Sequence, residues 1–434
     1  MNPSSLQAQP LIQASNKLTT SERESAPDPT SQKWLNRNVA GMGITSFLSD
    51  ACHEMATTVL PGFLTVIGAP PSALGIIEGV ADATSSFVKL WGGWISDKLG
   101  HRKPLTAIGY LLTGVSESLF AFAVTWHLVL VGRVIGWFGR GFRGPIRDAM
   151  LADSVDPAVR GKAFGFHRFG DTLGAILGPL IAVWLLEVWQ PLAGANPSEP
   201  FRNIFLITLI PGVLSAIVFG LMIVEKRRAA NQQLKFWGTV RALPKGFKRF
   251  LIGVGIFGLG DFAPTLLILA ATQLLSAEHG VRHAAQLAGL MYVVRNVTYA
   301  LASFPIGALS DKMSRTVLLA LGYVFAALTI GGFALAFLFG WTSLVYLFCL
   351  FALAGVFIAA EDTLEAAITA DHISTETRGI GMGVLGTVNG IGDFGASVIV
   401  GLLWTAMSPV AAFGFAAVVM LVGAVVLVNV RREN

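Results

Sequence analysis

Long apolar runs alternate with short polar stretches along almost the whole chain beyond residue 37. Each run is long enough to cross a bilayer as a helix, which takes about 20 residues. The twelve runs lie at residues 39–67, 73–95, 105–124, 128–146, 163–189, 204–224, 250–275, 284–309, 316–339, 343–364, 380–407 and 410–430. This pattern predicts an all-α membrane protein with 12 transmembrane helices.

Two polar stretches interrupt the pattern. Residues 1–37 are rich in Ser, Thr, Gln and Pro and lack the apolar core of a signal peptide, so we expect a disordered cytoplasmic tail. Residues 225–249 hold eight Lys or Arg residues near the midpoint, which is typical of a cytoplasmic linker. The predicted domains are therefore an N-terminal bundle, 38–224, and a C-terminal bundle, 250–434.

Composition excludes a soluble protein, because 13% of the residues are charged and 53% are hydrophobic, whereas soluble domains carry about 25% charged residues. Lys and Arg gather in alternate loops, which predicts a multi-pass protein of a bacterial inner membrane with both termini cytoplasmic. The net charge of +5 is therefore topology charge and predicts no nucleic-acid partner.

Two segments recur in the second half of the chain, 214 and 218 residues after their first copies. The first copies hold Gly93, Asp97 and Lys98, and then Asp153, Arg160 and Gly161; the second copies hold Gly307, Asp311 and Lys312, and then Asp371, Arg378 and Gly379. Such parallel repeats predict two pseudo-symmetric six-helix bundles.

The segment from Gly93 to Lys103 resembles the signature of the major facilitator superfamily, G-x-L-x-D-R-x-G-R-K/R, with Ile95, Lys98 and His101 as departures. The resemblance implies the fold of that superfamily and a bacterial drug- or metabolite-type permease. It also implies a cytoplasmic gate in which Asp97 and Asp311 pair with basic residues, unless those bases only set the topology. The expected gating residues are Gly93, Asp97, Lys98, Arg102, Lys103, Arg140, Arg143, Arg147, Asp153, Arg160, Asp311, Asp371 and Arg378.

The fifth run carries Gly170, Gly174, Gly178 and Pro179 at four-residue steps. These residues resemble the glycine-proline signature of antiporters in the superfamily, which implies export. The same spacing also suits close helix packing with a kink at the proline, whichever direction transport takes.

Ionisable residues within the runs are costly in a bilayer and need a function or a partner. Asp50, His53 and Glu54 share one helical face and predict a proton or cation site, the alternative being a structural network with an arginine of a neighbouring helix. The other candidates for the cavity or for proton coupling are Asp82, Arg133, His167, Asp171, Asp261, Arg295 and Asp393, for which static pairing is the alternative. We expect a solvated Glu78, a Lys89 paired with Asp82 or an anion, and a gating Glu365.

These features favour a proton-coupled exporter of a small solute or drug that works by alternating access as a monomer, with no cofactor. An ATP-binding G-x4-G-K-[ST] loop and the common hydrolase motifs are absent from the sequence, so an enzyme is not expected. Two alternatives stay open at this point. One is efflux of nickel or cobalt, with Cys52, His53 and Glu54 as ligands, and the other is proton-coupled import.

Overall fold

The computed structural model describes residues 34–99, 102–155, 160–189, 196–225, 241, 243–310, 312–373 and 378–432, without the side chains of 90–99, 152, 160–162, 165, 304, 308, 370, 378–380 and 430–432. Its helices are α1 (Arg37–Val66), α2 (Pro71–Leu99), α3 (Lys103–Ser118), α4 (Trp126–Asp153), α5 (Arg160–Trp189), α6 (Glu199–Met222), α7 (Lys245–Gly258), α8 (Thr265–Ser310), α9 (Arg315–Phe339), α10 (Leu344–His372), α11 (Arg378–Ala406) and α12 (Pro409–Arg432). No strand occurs in these ranges, so the predicted all-α class is confirmed.

Most predicted runs coincide with one helix, but the seventh does not. Residues 250–275 were expected to form one continuous span, whereas α7 ends at Gly258 and α8 begins at Thr265. Proline has no N–H for the helical ladder and pushes the preceding residue out of the helical region, so Pro264 accounts for the break together with the flexible Gly260. The kink that turns α8 back across the membrane lies at Gly280, which has a positive φ of 72°.

The helices form two groups of similar internal packing. In the first group α1 packs against α5 and α6, α2 against α4, and α3 against α4 and α6; in the second, α8 packs against α10, α9 against α10 and α12, and α7 against α11 and α12. Contacts between the groups run through α2 with α11, and through α8 with α1 and α5.

The internal repeat is visible as one ion pair in each half. Arg102, at the start of α3, lies 3.1 Å from Asp153 at the end of α4. Arg315, at the start of α9, lies 2.7 Å from Asp371 near the end of α10. The matching positions support pseudo-symmetric halves, while the predicted tail and linker, residues 1–37 and 225–249, lie largely outside the described residues and their roles stay predictions.

Large apolar side chains cover the outside of the protein. Trp184, Leu301, Leu328 and Val345 are each more than 60% exposed, as suits a surface that faces lipid rather than water. Within the described ranges, eight helices are apolar and long enough to cross a membrane, taking α8 as one. The chain is therefore a multi-pass membrane protein. Of the helices outside this set, α1, α2 and α4 are equally long but carry several charged residues.

The halves contact each other near one end of the molecule and at mid-depth. We call the end at which α1 begins and α12 ends the terminal end, and the opposite one the distal end. Near the distal end, the Ser72 N–H donates to Thr405 Oγ1 at 2.9 Å, and Gln286 Nε2 donates to Glu187 Oε2 at 2.8 Å. At mid-depth, Asn296 Nδ2 donates to the Ala175 carbonyl at 2.8 Å.

Candidate functional site

A cavity of about 490 Å³ lies between the two halves, within the size range of sites for small molecules. Its walls come from α1, α2 and α4 of the first half and from α8 to α11 and the break of the second. The charged residues in its walls are Glu54, Glu78, Asp82, Lys89, Arg133, Arg140, Asp261, Arg295, Glu361, Asp362 and Asp393, joined by His53. Seven of the predicted candidates are in this set, including Asp261 at the break.

Arg133 is the centre of a buried ion-pair network in the first half. It is 2% exposed, and it donates from Nη2 and Nε to the two oxygens of Glu78 at 3.0 and 3.1 Å. Its Nη1 lies 3.4 Å from Glu117 Oε1, and its Nη2 donates to Thr57 Oγ1 at 3.2 Å. The expected solvated Glu78 is wrong, because that side chain is 2% exposed and held in a fork of two hydrogen bonds.

His53 joins the same network from α1. Its Nδ1 lies 3.0 Å from Glu117 Oε1, and its Nε2 lies 3.4 Å from Thr57 Oγ1. The ring also packs edge-on against Trp137, with centroids 5.3 Å apart. His53 is therefore tied to α3 and α4 rather than to its sequence neighbours Asp50 and Glu54.

Asp50 and Glu54 have unlike surroundings although they lie one turn apart. Asp50 pairs with Arg140 of α4 at 2.6 Å and is outside the cavity wall, so its alternative structural reading fits. Glu54 faces the cavity, and its Oε2 is buried without a hydrogen-bond partner. Of the two carboxyls, Glu54 alone has the access that a proton-coupling group needs.

The wall of the second half is rich in carboxyls. Asp261 lies in the break between α7 and α8, where the neighbouring Ala263 N–H donates to Ser397 Oγ of α11 at 3.0 Å. Glu361 comes from α10 and Asp393 from α11. Glu365 was expected at the gate, but it is 2% exposed and accepts hydrogen bonds from Tyr323 at 2.5 Å and Asn389 at 2.7 Å.

Several buried polar atoms in the cavity wall have no hydrogen-bond partner, although buried polar groups in folded proteins nearly always have one. They are Glu54 Oε2, Ser85 Oγ, Trp137 Nε1, Arg140 Nη1, Thr265 Oγ1, Glu361 Oε2 and Asn389 Oδ1. They are seven of the twelve unpartnered buried side-chain atoms in the described part of the chain. The cavity is thus lined by groups suited to a polar ligand.

Two predicted cavity residues lie elsewhere. His167 and Asp171 of α5 contact each other at 3.5 Å, and His167 Nε2 lies 2.6 Å from Ser46 Oγ of α1. Neither belongs to the cavity wall, so the alternative of static pairing within the helix bundle fits them better than a role in the cavity. Lys89 does line the cavity, but it forms no ion pair with Asp82 or any other described residue.

The three arginines of α4 contact other described residues, and their predicted pairing with Asp97 or Asp311 stays a prediction. Arg140 pairs with Asp50, Arg143 donates to Ser49 Oγ at 2.8 Å and lies over the Tyr110 ring, and Arg147 pairs with Asp148. Arg102 and Asp153 are paired as described above, with Lys103 beside them. The gating roles of Gly93, Asp97, Lys98, Arg160, Asp311 and Arg378 concern side chains outside the described residues, and they stay predictions.

The glycines of α5 lie where that helix crosses α1. A Cβ at Gly170, Gly174 or Gly178 would come within 2.7 Å of a carbonyl oxygen of α1. Only a residue without a side chain allows backbones so close. Helix packing therefore accounts for these glycines, and the antiporter role that the resemblance implies stays a prediction.

The proposed metal ligands do not converge. Cys52 is fully buried and its thiol packs against Gly212 of α6, whereas His53 and Glu54 face the cavity. In the described ranges, no three His, Cys, Asp or Glu side chains are grouped so as to hold a metal ion. The reason is geometric, since consecutive helical residues point in different directions.

Sequence reasoning missed Glu117, the Glu187–Gln286 contact and Tyr292, which lines the cavity. Glu117 could have been found, because it is a carboxyl within the apolar run 105–124 and needs a partner for the same reason as Glu78. Tyr292 and Gln286 have no charge, so nothing in the sequence sets them apart from other residues of α8.

A ligand-sized polar cavity between two pseudo-symmetric helical bundles defines a membrane transporter. The family model of the Major Facilitator Superfamily matches residues 42–277 and 250–434, and the chain belongs to this superfamily. The predicted membership of this superfamily is confirmed.

Similar proteins agree with that assignment. The uncharacterized MFS-type transporter MJ1317 of Methanocaldococcus jannaschii is 30% identical over 91% of this chain and 94% of its own. The quinolone resistance protein NorA of Staphylococcus aureus is 29% identical over 36% of this chain and 39% of its own. The crystal structure of the nucleoside transporter NupG superposes with a TM-score of 0.72 at 14% identity, covering 92% of this chain and all of the other, which shows the shared fold.

Proposed function

We propose that this protein exports a small solute in exchange for protons, by alternating access of the central cavity between the two sides of a bacterial inner membrane. The observation that carries the proposal is the cavity itself, which has contacts between the halves on its distal side and is lined by Glu54, whose Oε2 has no hydrogen-bond partner. With cytoplasmic termini, the distal side is the outer side, and this state is the one that would load solute from the cytoplasm.

Glu54 is our choice for the proton carrier. A coupling carboxyl must meet both the ligand and water, and it must be free to lose and regain its proton in each cycle. Glu78 and Glu117 are held by Arg133, and Asp50 is held by Arg140. Glu54 Oε2 has no such partner, so its proton can be exchanged for solute without breaking an ion pair.

Export rather than import is supported by the partial likeness to NorA, whose name gives it a role in quinolone resistance. The inner membrane and cytoplasmic termini follow from the distribution of loop charges. A monomer suffices for the mechanism, because one chain supplies both walls of the cavity. No cofactor is needed, since the proton gradient is the energy source.

The first experiment finds the solute. Growth of a sensitive host, with and without the protein, is compared across drugs, metal salts and organic acids. We expect the protein to raise tolerance of at least one organic compound.

The second experiment tests direction and coupling with that compound. In inverted vesicles, an inside-acid gradient should drive its accumulation, and Glu54→Gln should abolish the gradient-driven part at equal membrane abundance. Glu278→Gln, which changes an exposed carboxylate near the distal end, serves as the control and should behave as wild type. Accumulation under an inside-alkaline gradient only would indicate import, and full activity of Glu54→Gln would contradict the coupling assignment.

A further inference from the structure

The two walls of the cavity have different charge. In the first half, the wall carries three carboxyls, Glu54, Glu78 and Asp82, and three bases, Lys89, Arg133 and Arg140. In the second half it carries four carboxyls and one base, Arg295. The negative charge of the site is therefore concentrated on the second half, which we call the acidic wall: Asp261, Glu361, Asp362 and Asp393.

The single base of the acidic wall does not neutralise it. Arg295 donates from Nη1 to Asn296 Oδ1 at 3.0 Å and lies 5.5 Å from the centre of the Tyr292 ring. It forms no ion pair with any carboxyl in the described part of the chain. Asp362 accepts a hydrogen bond from the Tyr299 hydroxyl at 2.8 Å. Asp261, Glu361 and Asp393 form no ion pair with a basic side chain among the described residues.

Glu361 is the clearest sign that a ligand belongs here. Its side chain is about nine-tenths buried, it faces the cavity, and Oε2 has no hydrogen-bond partner. Asn389 Oδ1 is a second unpartnered acceptor of the same half, whereas the first half has the unpartnered donors Arg140 Nη1 and Trp137 Nε1 beside the acceptor Glu54 Oε2. The described residues of this wall thus have unpartnered buried acceptors and no unpartnered buried N–H group, which suits a ligand group that brings positive charge and N–H donors.

We propose that the transported solute is an organic cation whose positive group binds against Asp261, Glu361 and Asp393. This inference rests on the proposed transport function and adds the chemical class of the solute. An anion would meet four carboxyls and a single base on this wall, and like charges in a site of low dielectric repel strongly. A cleft lined by one sign of charge also concentrates counter-ions from solution.

The experiment is equilibrium binding to the purified full-length protein in detergent, with empty micelles as the blank. The probes are tetraphenylphosphonium and tetraphenylborate, which have nearly the same size and shape but opposite charge. We expect saturable binding of the cation and none of the borate. Because neither probe has a hydrogen-bonding group, any difference in affinity reports the charge of the site.

Variants assign the charge to the acidic wall. Glu361→Gln and Asp393→Asn should each weaken binding of the cation by at least about tenfold, as expected for loss of a charge within several ångströms at an effective dielectric constant of about 20. Glu361→Asp keeps the charge and should retain most of the affinity. Glu278→Gln is the matched control for a carboxyl outside the cavity. If one variant fails to give monodisperse protein, the other makes the same comparison.

Equal or tighter binding of tetraphenylborate, no saturable binding of tetraphenylphosphonium up to about 1 mM, or unchanged affinity in both charge-removing variants would each overturn the proposal. Binding without a gradient is independent of coupling. Failure here, together with gradient-driven accumulation of another solute, would leave the proposed function standing. Cation binding without any gradient-driven transport would instead contradict the function and keep the binding site.

Discussion

At the scale of single residues, the cavity wall contains both carboxyls that are paired with an arginine and carboxyls that form no ion pair with a described residue. Arg133 pairs with both Glu78 and Glu117, so each of these three buried charged groups has a partner of opposite charge. Removing one member of such a set leaves the others uncompensated, which is costlier than never having buried them. The network therefore fixes the positions of α2, α3 and α4 relative to each other.

Arg133→Met should lower the free energy of unfolding by about 3–5 kcal/mol, because it leaves Glu78 and Glu117 buried without their cation. The measurement is a denaturant titration in lipid–detergent micelles. Adding Glu78→Gln to this variant should recover part of the loss. Arg241→Gln, at an exposed position, should stay within about 0.5 kcal/mol of wild type. A double variant no more stable than Arg133→Met would argue against the network as described.

The sequence was informative about which residues matter here and poor about their partners. A charged residue inside an apolar run is conspicuous, so the sequence alone predicts Glu54, Asp82, Asp261 and Asp393 as candidates for the cavity. Partner choice depends on how each helix is rotated against its neighbours. That rotation is set by packing of apolar faces across the bundle, and it decided that Asp50 meets Arg140 while Glu54 faces the cavity.

At the scale of elements, α1 and α5 approach through glycine. A Cβ at Gly174 would lie 2.6 Å from the Phe47 carbonyl oxygen, 2.9 Å from the Ala51 nitrogen and 3.0 Å from Asp50 Cβ. Two of these atoms belong to backbone, so the helices themselves must move to accept a methyl group. The four-residue spacing predicted close packing correctly, but the neighbouring helix could not be named from the sequence.

Gly174→Ala should destabilise the protein by about 1–3 kcal/mol, the usual cost of overpacking, and lower its yield in the membrane. Gly220→Ala is the matched control, since no atom lies within 4 Å of its Cβ position. Alanine favours a helix over glycine by roughly 0.5–1 kcal/mol, so the control should be neutral or slightly stabilising. Thermal unfolding of the two variants in the same detergent gives the comparison. Equal stability would show that α1 and α5 are farther apart than the structure has them.

At the scale of the whole molecule, the halves touch through α2 with α11 and through α8 with α1 and α5. Alternating access requires the distal contacts to open in each cycle. The two-bundle plan was predictable from the repeat, because Gly93 and Asp153 recur with their neighbours at almost constant distance along the chain. Which end carries these contacts was not predictable, since forms that open at either end share one sequence and differ little in energy.

Cysteines at Ser72 and Thr405, introduced together in a Cys349→Ser background, should be joined by a short bifunctional thiol reagent, because these residues share a hydrogen bond of 2.9 Å. Cross-linking should stop transport by holding the distal end closed. A cleavable reagent should restore transport after reduction, and each single-cysteine variant should be unaffected by the reagent. Undiminished transport by fully cross-linked protein would exclude opening at this contact.

The break between α7 and α8 gives the second half a joint that the first half lacks, since α1 runs unbroken from Arg37 to Val66. Six residues, 259–264, connect the two rods of this span, and a turn of hydrogen bonds is already missing there. Tilting one rod against the other therefore disturbs few backbone hydrogen bonds. Movement of Asp261, at the middle of the joint, is mechanically linked to that tilt. A ligand in the cavity would therefore contact the hinge about which the distal part of this span can tilt.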